Sequence, residues 1–236
     1  MEFIFFLIAF FCGLFAGSLL KVFSDSNFSG KFILHSASYS HDGKKLKSLC
    51  CGLGKMPFGR YLVPGIMTGI IFAAFMYRYG WPKMLWHAVY FLPLVIIFFI
   101  DLEHKIIPNS LVIALLALSI PKVCSNLDVK LVLGGLMAGG IFLLLALLSQ
   151  GGLGGGDIKL AAALGLWFGW QEMLLLIFLA FLVGGLVAVL LLLLGVKSRK
   201  DAIPFAPFLV GAAFSVTMWG KEILQWYLQL SGLQFK

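Results

Sequence analysis

The stretch EMLLLIFLAFLVGGLVAVLLLLLGV (residues 172–196) carries no charged residue after its first position. About twenty consecutive apolar residues allow an α-helix to cross the hydrocarbon core of a bilayer. Comparable apolar runs recur along the chain, and the full set is 3–23, 61–77, 84–101, 109–124, 129–149, 158–170, 172–196 and 204–227. These runs predict an all-α, polytopic membrane helix bundle with about eight transmembrane helices.

The composition also indicates a membrane protein. Of the 236 residues, 61% are hydrophobic and 12% are charged, against roughly 45–50% and about 25% in an average soluble domain. The formal net charge is +8, and basic residues of membrane proteins concentrate in cytoplasmic loops. We therefore interpret the charge as a sign of topology and of contact with the lipid bilayer, and expect no nucleic-acid partner.

The basic residues predict the orientation of the chain. A polar loop at about 24–60 holds the densest basic set, which is Lys31, Lys44, Lys45, Lys47, Lys55 and Arg60. The positive-inside rule assigns this loop to the cytoplasm and the N-terminus to the outside. The run 158–170 is short for a span, but if it crosses, the basic triplet within 197–200 also lies inside. We therefore predict that it crosses, within one membrane domain covering residues 1–236.

Two aspartates stand at the ends of apolar runs, where an ionisable group is costly. Asp101 follows VIIFFI, and Asp157 lies between GGLGGG and IKLAAALG. The predicted topology brings both to the cytoplasmic edge of the membrane. A single aspartate there could be a helix cap or an interfacial charge. Two carboxylates that share a site can instead divide the work of peptide hydrolysis, one activating water and one donating a proton.

The glycines before Asp157 allow several interpretations. A phosphate loop is improbable because no GK[ST] follows and the next residue is an acid. Gly154, Gly155 and Gly156 could form a flexible loop or a close approach between helices. They could also leave room for an extended peptide backbone beside Asp157. The last possibility is the hypothesis of a substrate-binding segment.

Four ordered motifs are similar to those of one protein family. They are GLFAGSLLKV (13–22), IDLEHKIIPN (100–109), GGGDIKL (154–160) and IPFAPFLVGA (203–212). The second and third resemble the two aspartate motifs of the prepilin peptidases, which are GxGD intramembrane aspartic proteases. The resemblance implies a bacterial inner-membrane aspartic endopeptidase with Asp101 and Asp157 as its catalytic residues. Its substrates would be type IV prepilins or pseudopilins, whose leader it would cleave at the cytoplasmic face.

The first loop departs from that family. Many members also methylate the new N-terminus with S-adenosylmethionine, and these carry two CxxC pairs for zinc in this loop. The chain offers the adjacent Cys50 and Cys51 with His35 and His41, which match no recognised zinc pattern. Gly65 also stands where a glutamate is usual. We therefore expect peptidase activity without N-methyltransferase activity, with no metal and no cofactor.

Two alternatives remain open. A presenilin or signal-peptide-peptidase relative shares GxGD but normally has a tyrosine before the first aspartate, where this chain has Ile100. A proton- or cation-coupled transporter could use the same two acids, although no matching halves with broken helices are visible.

The helix-end positions also predict unequal roles for the two acids. Asp157 precedes a helix, whose N-terminal dipole favours the ionised form that activates water. Asp101 ends a helix and is predicted to carry the proton. Nearby, Glu103 and His104 are interpreted as solvated turn residues and Lys159 as an interfacial anchor.

Overall fold

The computed structural model describes residues 5–19, 59–126, 128–149, 153–196 and 203–231. These residues form seven helices and no strand, which confirms the all-α prediction. The helices are α1 Phe5–Leu19, α2 Gly59–Tyr79, α3 Lys83–His104, α4 Asn109–Asn126, α5 Val129–Leu148, α6 Gly155–Leu193 and α7 Ala206–Ser231.

Four of the described helices are long and apolar enough to cross a membrane, namely α2 through its residues Leu62–Tyr79, α3, α5 and α6. α1 and α4 are apolar but shorter. The chain is therefore a multi-pass helical membrane protein, while the count of about eight spans is not confirmed. Most of the predicted loop at 24–60 and the triplet within 197–200 lie outside the described residues.

α6 is a broken helix. Its 39 residues would extend roughly 58 Å if straight, about twice the ~30 Å hydrocarbon core. Gly169 interrupts it with φ 79° and ψ 171°, a conformation that is almost restricted to glycine. We call residues 155–168 α6a and residues 170–193 α6b. The prediction that 158–170 and 172–196 are separate helical segments is confirmed at this break.

The chain divides into two compact units, Met1–Ile96 and Ile97–Lys236. In the first unit, α1 packs closely on α2. A Cβ on Gly17 would collide with Thr68, and a Cβ on Gly65 would collide with Ser18. Gly65 therefore has a packing reason in this chain.

The second unit contains the end of α3 and all of α4 to α7. Its closest helix contact joins α5 to α6a, because a Cβ on Gly134 or on Gly165 would collide with the backbone carbonyl of the other. Buried large side chains, among them Leu160, Leu164 and Trp167 of α6a, fill its core. This packing fixes the helix segment that begins beside Asp157.

Candidate active site

Asp101 lies in the last turn of α3, which continues to His104, one turn beyond the predicted end. Its side chain is buried, with 5% of the residue surface exposed. The carboxylate Oδ2 accepts a 3.0 Å hydrogen bond from the backbone N–H of Ala206, the first residue of α7. Asp101 therefore lies at the N-terminal end of a second helix, where unpaired backbone N–H groups point outward.

The proline motif explains this contact. The carbonyl of Phe205 accepts hydrogen bonds from the N–H groups of Phe208 and Leu209 and so begins α7. Pro207 in the first turn has no N–H to offer. The N–H of Ala206 is therefore the donor that the motif presents to Asp101.

Asp157 is the third residue of α6, and it both donates a hydrogen bond to Gly154, the residue before the helix, and accepts one from it. Its N–H donates to the Gly154 carbonyl at 3.1 Å, and its Oδ2 accepts from the Gly154 N–H at 3.3 Å. The other oxygen, Oδ1, is buried and has no hydrogen-bond partner among the residues that the structure describes. Such atoms are rare in folded proteins, and a catalytic role or a bound water is among the explanations for them. Oδ1 is the oxygen available to a water molecule or a substrate.

The two aspartates lie close enough for their carboxyl groups to interact electrostatically. Each carboxylate also accepts one backbone N–H at the start of a helix. The prediction of unequal roles placed Asp157 at a helix start and Asp101 at a helix end. That asymmetry is lost, because the contact with Ala206 puts Asp101 at a helix start as well. What distinguishes the two is that Oδ1 of Asp157 is buried without a partner among the described residues.

The three glycines before Asp157, predicted together as a substrate-binding segment, have different surroundings. A Cβ on Gly156 would lie 2.9 Å from the Cβ of Ile107, so this glycine allows close packing. A Cβ on Gly154 would lie 3.3 Å from Oδ2 of Asp157. A Cβ on Gly155 would meet nothing within 4 Å. Only Gly155 leaves open space next to the aspartate.

Lys159 makes a contact that sequence reasoning missed. Its Nζ donates a 3.0 Å hydrogen bond to Oδ1 of Asn109, the first residue of α4. The interpretation as an interfacial anchor did not include this partner. The available signal was that each residue belongs to one of the two aspartate motifs, GGGDIKL and IDLEHKIIPN.

An apolar cavity of about 380 Å³ borders the same region. Leu102, which follows Asp101, and Phe98 form its wall on α3, and Pro204 and Pro207 form its wall at the start of α7. Its lining is nearly all apolar. The cavity therefore shares two structural elements with the Asp101 contact.

A second polar cluster lies at the break of α6. Nζ of Lys122 donates to the backbone carbonyl of Trp167 and lies 4.8 Å from the centroid of the Trp167 ring. Glu172, at the start of α6b, interacts electrostatically with Lys122 and Lys221. The sequence analysis did not single out Lys122.

The part of the chain that the structure describes has no group of three or more His, Cys, Asp or Glu side chains able to hold a metal ion. The loop residues considered for zinc, Cys50, Cys51, His35 and His41, lie outside it.

Apolar helices long enough to span a membrane, with the buried Asp101 and the half-buried Asp157 at helix termini, define a helical membrane protein with a candidate aspartic-protease site. Comparison with known proteins identifies the family. A sequence profile of the type IV leader peptidase family matches residues 88–189, a range that contains both aspartates. The chain belongs to the type IV leader peptidase family, as its four motifs predicted.

Individual relatives agree with this assignment. The chain is 32% identical over 209 residues to the prepilin leader peptidase/N-methyltransferase of Pseudomonas aeruginosa, covering 84% of this chain and 70% of that protein. The protein of the same name in Bacillus subtilis is 31% identical over 78% of this chain and 76% of its own length. The one in Legionella pneumophila is 33% identical, but the match spans only half of its length. No solved structure matches the chain.

Proposed function

We propose that this protein is an aspartic endopeptidase that removes the leader peptide of type IV prepilins or pseudopilins. Asp101 and Asp157 would be its catalytic residues. The observation that carries the proposal is that Oδ1 of Asp157 is buried, has no hydrogen-bond partner among the described residues, and belongs to a carboxyl group that interacts electrostatically with Asp101. A cap needs only one of the two oxygens, and a catalytic role is one of the explanations for a second oxygen that is buried without a protein partner.

The geometry supports a division of roles between the two carboxylates. Oδ1 of Asp157 accepts a proton from water while the water oxygen attacks the scissile carbonyl carbon. Asp101, held through Oδ2 by the Ala206 N–H, gives a proton from its other oxygen to the carbonyl oxygen. When the tetrahedral intermediate collapses, the C–N bond breaks, the leaving nitrogen takes the proton from Asp157, and Asp101 regains its own. Each carboxylate thus alternates between acid and base.

Two features of the site suit a peptide substrate. The open space at Gly155 allows an extended backbone to approach Asp157 without meeting a side chain. The apolar cavity next to Leu102 can accept an apolar side chain near the cleaved bond. The leader would be cleaved at the cytoplasmic face of the bacterial inner membrane, and the support for this orientation is the basic loop at about 24–60.

We expect the protein not to methylate the new N-terminus of the cleaved pilin. The relatives are named for both activities, but the four cysteines of this chain form no CxxC pair. Mass spectrometry of the processed pilin tests this point. Cleaved pilin with an unmodified first residue is expected, and a methyl group that depends on this protein alone would contradict the proposal.

The peptidase activity is tested by co-expression with a prepilin and a gel shift for loss of the leader. Asp101→Asn should abolish the shift while membrane insertion stays intact. The matched control is Glu103→Gln, which removes the same charge from an exposed neighbour and should retain most activity. Cleavage by Asp101→Asn at the wild-type rate would refute the aspartic mechanism. Proton or cation flux in reconstituted vesicles, lost in Asp101→Asn and without any cleavage, would favour the transporter instead.

A further inference from the structure

The two aspartates come from different helices, so their separation depends on what joins those helices. Asp101 lies in the last turn of α3, and the short connection between His104 and Asn109 leads directly into α4. This connection begins tightly. Lys105 has a left-handed φ of 55°, and its N–H donates to the carbonyl of Asp101 itself at 2.9 Å. Asn109 is thus joined to the Asp101 end of α3 by a short and well-defined backbone path.

The same connection contacts the first turn of α6 on both sides of Asp157. Before Asp157, Gly156 packs against Ile107 so closely that a Cβ would lie 2.9 Å from the Ile107 Cβ. After it, Lys159 donates its hydrogen bond to Asn109 at 3.0 Å. Gly156 and Lys159 are three residues apart, so they lie on the same face of the helix. Asp157 lies about 100° from Gly156 and about 160° from Lys159 around the helix axis, so its carboxylate is on a different side of the helix from these contacts.

We propose that Asn109 and Lys159 are positioning residues that set the separation of the Asp101 and Asp157 carboxylates. The hydrogen bond joins the first residue after the α3–α4 connection to the first turn of α6. It is a side-chain link between the two aspartate motifs, and the close packing of Gly156 on the Ile107 side chain is a second contact between them. Neither residue takes part in proton transfer.

This inference rests on the proposed function, because a positioning role requires that the two aspartates act together. In a two-carboxylate mechanism, water and the carbonyl group must lie between both acids at once. A shift of about 1 Å in a catalytic group can lower the rate about a hundredfold. A single exposed hydrogen bond holds less firmly than buried packing, so we expect a smaller loss, about tenfold in kcat.

The test is a set of variants of the full-length enzyme, purified in detergent and assayed with a prepilin substrate. Lys159→Met and Asn109→Ala should each lower kcat about tenfold and leave KM unchanged, since neither residue contacts the substrate. The double variant should be no slower than either single variant, because both remove the same interaction. Asn109→Asp keeps an acceptor for Lys159 and should restore most of the rate.

The control is Lys130→Met, which removes an exposed lysine near the start of α5 and should change neither constant. A rise in KM for Lys159→Met would overturn the inference, because it would mean that the lysine contacts the substrate. Additive losses in the double variant, or a kcat within twofold of wild type in Lys159→Met, would also overturn it. If Lys159→Met fails to fold, Asn109→Ala and Asn109→Asp still decide the question.

Different variants test the proposed function and the positioning role. If Asp101→Asn and Asp157→Asn both cleave the substrate normally, the aspartic mechanism is wrong. If those variants are inactive while the Asn109 and Lys159 variants behave as wild type, only the positioning role is wrong.

Discussion

The two ends of α6a both carry polar groups in an apolar helix, but the groups differ in how fully they are paired. At the break, Lys122 binds the Trp167 carbonyl and stacks over its ring, and it is balanced by Glu172. At the start, Asp157 has one oxygen bound by the Gly154 N–H and one buried oxygen without a partner in the described part of the chain.

This difference indicates a structural role for the polar cluster at the break and a chemical role for Asp157 at the helix start. A broken helix exposes carbonyl groups at its C-terminal end, and a cationic side chain satisfies them. The Lys122 cluster therefore stabilises the break at Gly169. An unpaired carboxylate oxygen stabilises nothing and costs free energy when it is buried. We expect changes at the break to lower stability and changes at the start to lower activity.

The largest effect is expected for Asp157→Asn. Asparagine is as good as aspartate near a helix start, so the helix should form normally. The amide cannot accept the proton of a water molecule, and general acid–base groups contribute about 10²–10⁴-fold to a rate. We expect cleavage to fall by at least about a hundredfold in an assay of leader removal, with the thermal unfolding midpoint nearly unchanged.

Asp128→Asn provides the matched control for this prediction. Asp128 precedes α5, and its carboxylate accepts a 3.0 Å hydrogen bond from the Lys130 N–H. It therefore has a capping role similar to that of Asp157, without the coupled carboxylate. Cleavage should stay at the wild-type rate. Equal losses in the two variants would mean that Asp157 acts only as a cap.

At the other end of α6a, Lys122→Met should destabilise the protein. The Trp167 carbonyl would lose its donor, which costs about 1–3 kcal/mol, and the loss of the cation–π contact adds about 0.5–1 kcal/mol. Thermal unfolding in detergent measures the change, with the exposed Lys130→Met as the control. An unchanged midpoint in Lys122→Met would show that the cluster does not support the break.

Gly169→Ala addresses the backbone at the same break. The glycine has φ 79° and ψ 171°, and a side chain in this region costs about 1–3 kcal/mol. We expect a lower unfolding midpoint than in wild type, measured in the same experiment. Gly185→Ala is the control, because a Cβ at this glycine of α6b would meet nothing within 4 Å. A Gly169→Ala variant as stable as Gly185→Ala would contradict the prediction.

Much of the fold could be predicted from apolar periodicity alone, including the division of α6. The break falls at Gly169, two residues before the gap at residue 171 that separates the apolar runs 158–170 and 172–196. Helical segments are local, so length and hydrophobicity define them. The number of spans could not be settled in this way, since only four of the described helices meet the length and hydropathy of a membrane span.

The candidate site was predictable in its residues but not in its contacts. Asp101 and Asp157 stand out because an acid is costly beside an apolar run. The hydrogen bond from Ala206 to Asp101 joins residues far apart in the sequence, and no local pattern specifies such a pairing. This is why the argument from each aspartate's own helix end missed that Asp101 also lies at the start of α7.

The smallest effects are expected from the glycines, and they separate packing from substrate binding. Gly156→Ala would press a Cβ against Ile107, and overpacking of this kind costs about 1–3 kcal/mol. Gly155→Ala adds its Cβ to open space at the first position of α6, so stability should change by less than about 0.5 kcal/mol. If a peptide backbone passes over Gly155, the added methyl group will raise KM for the prepilin without lowering the unfolding midpoint. An unchanged KM in Gly155→Ala would remove Gly155 from the substrate-binding segment, and with Gly156 explained by packing, that hypothesis would then rest on Gly154 alone.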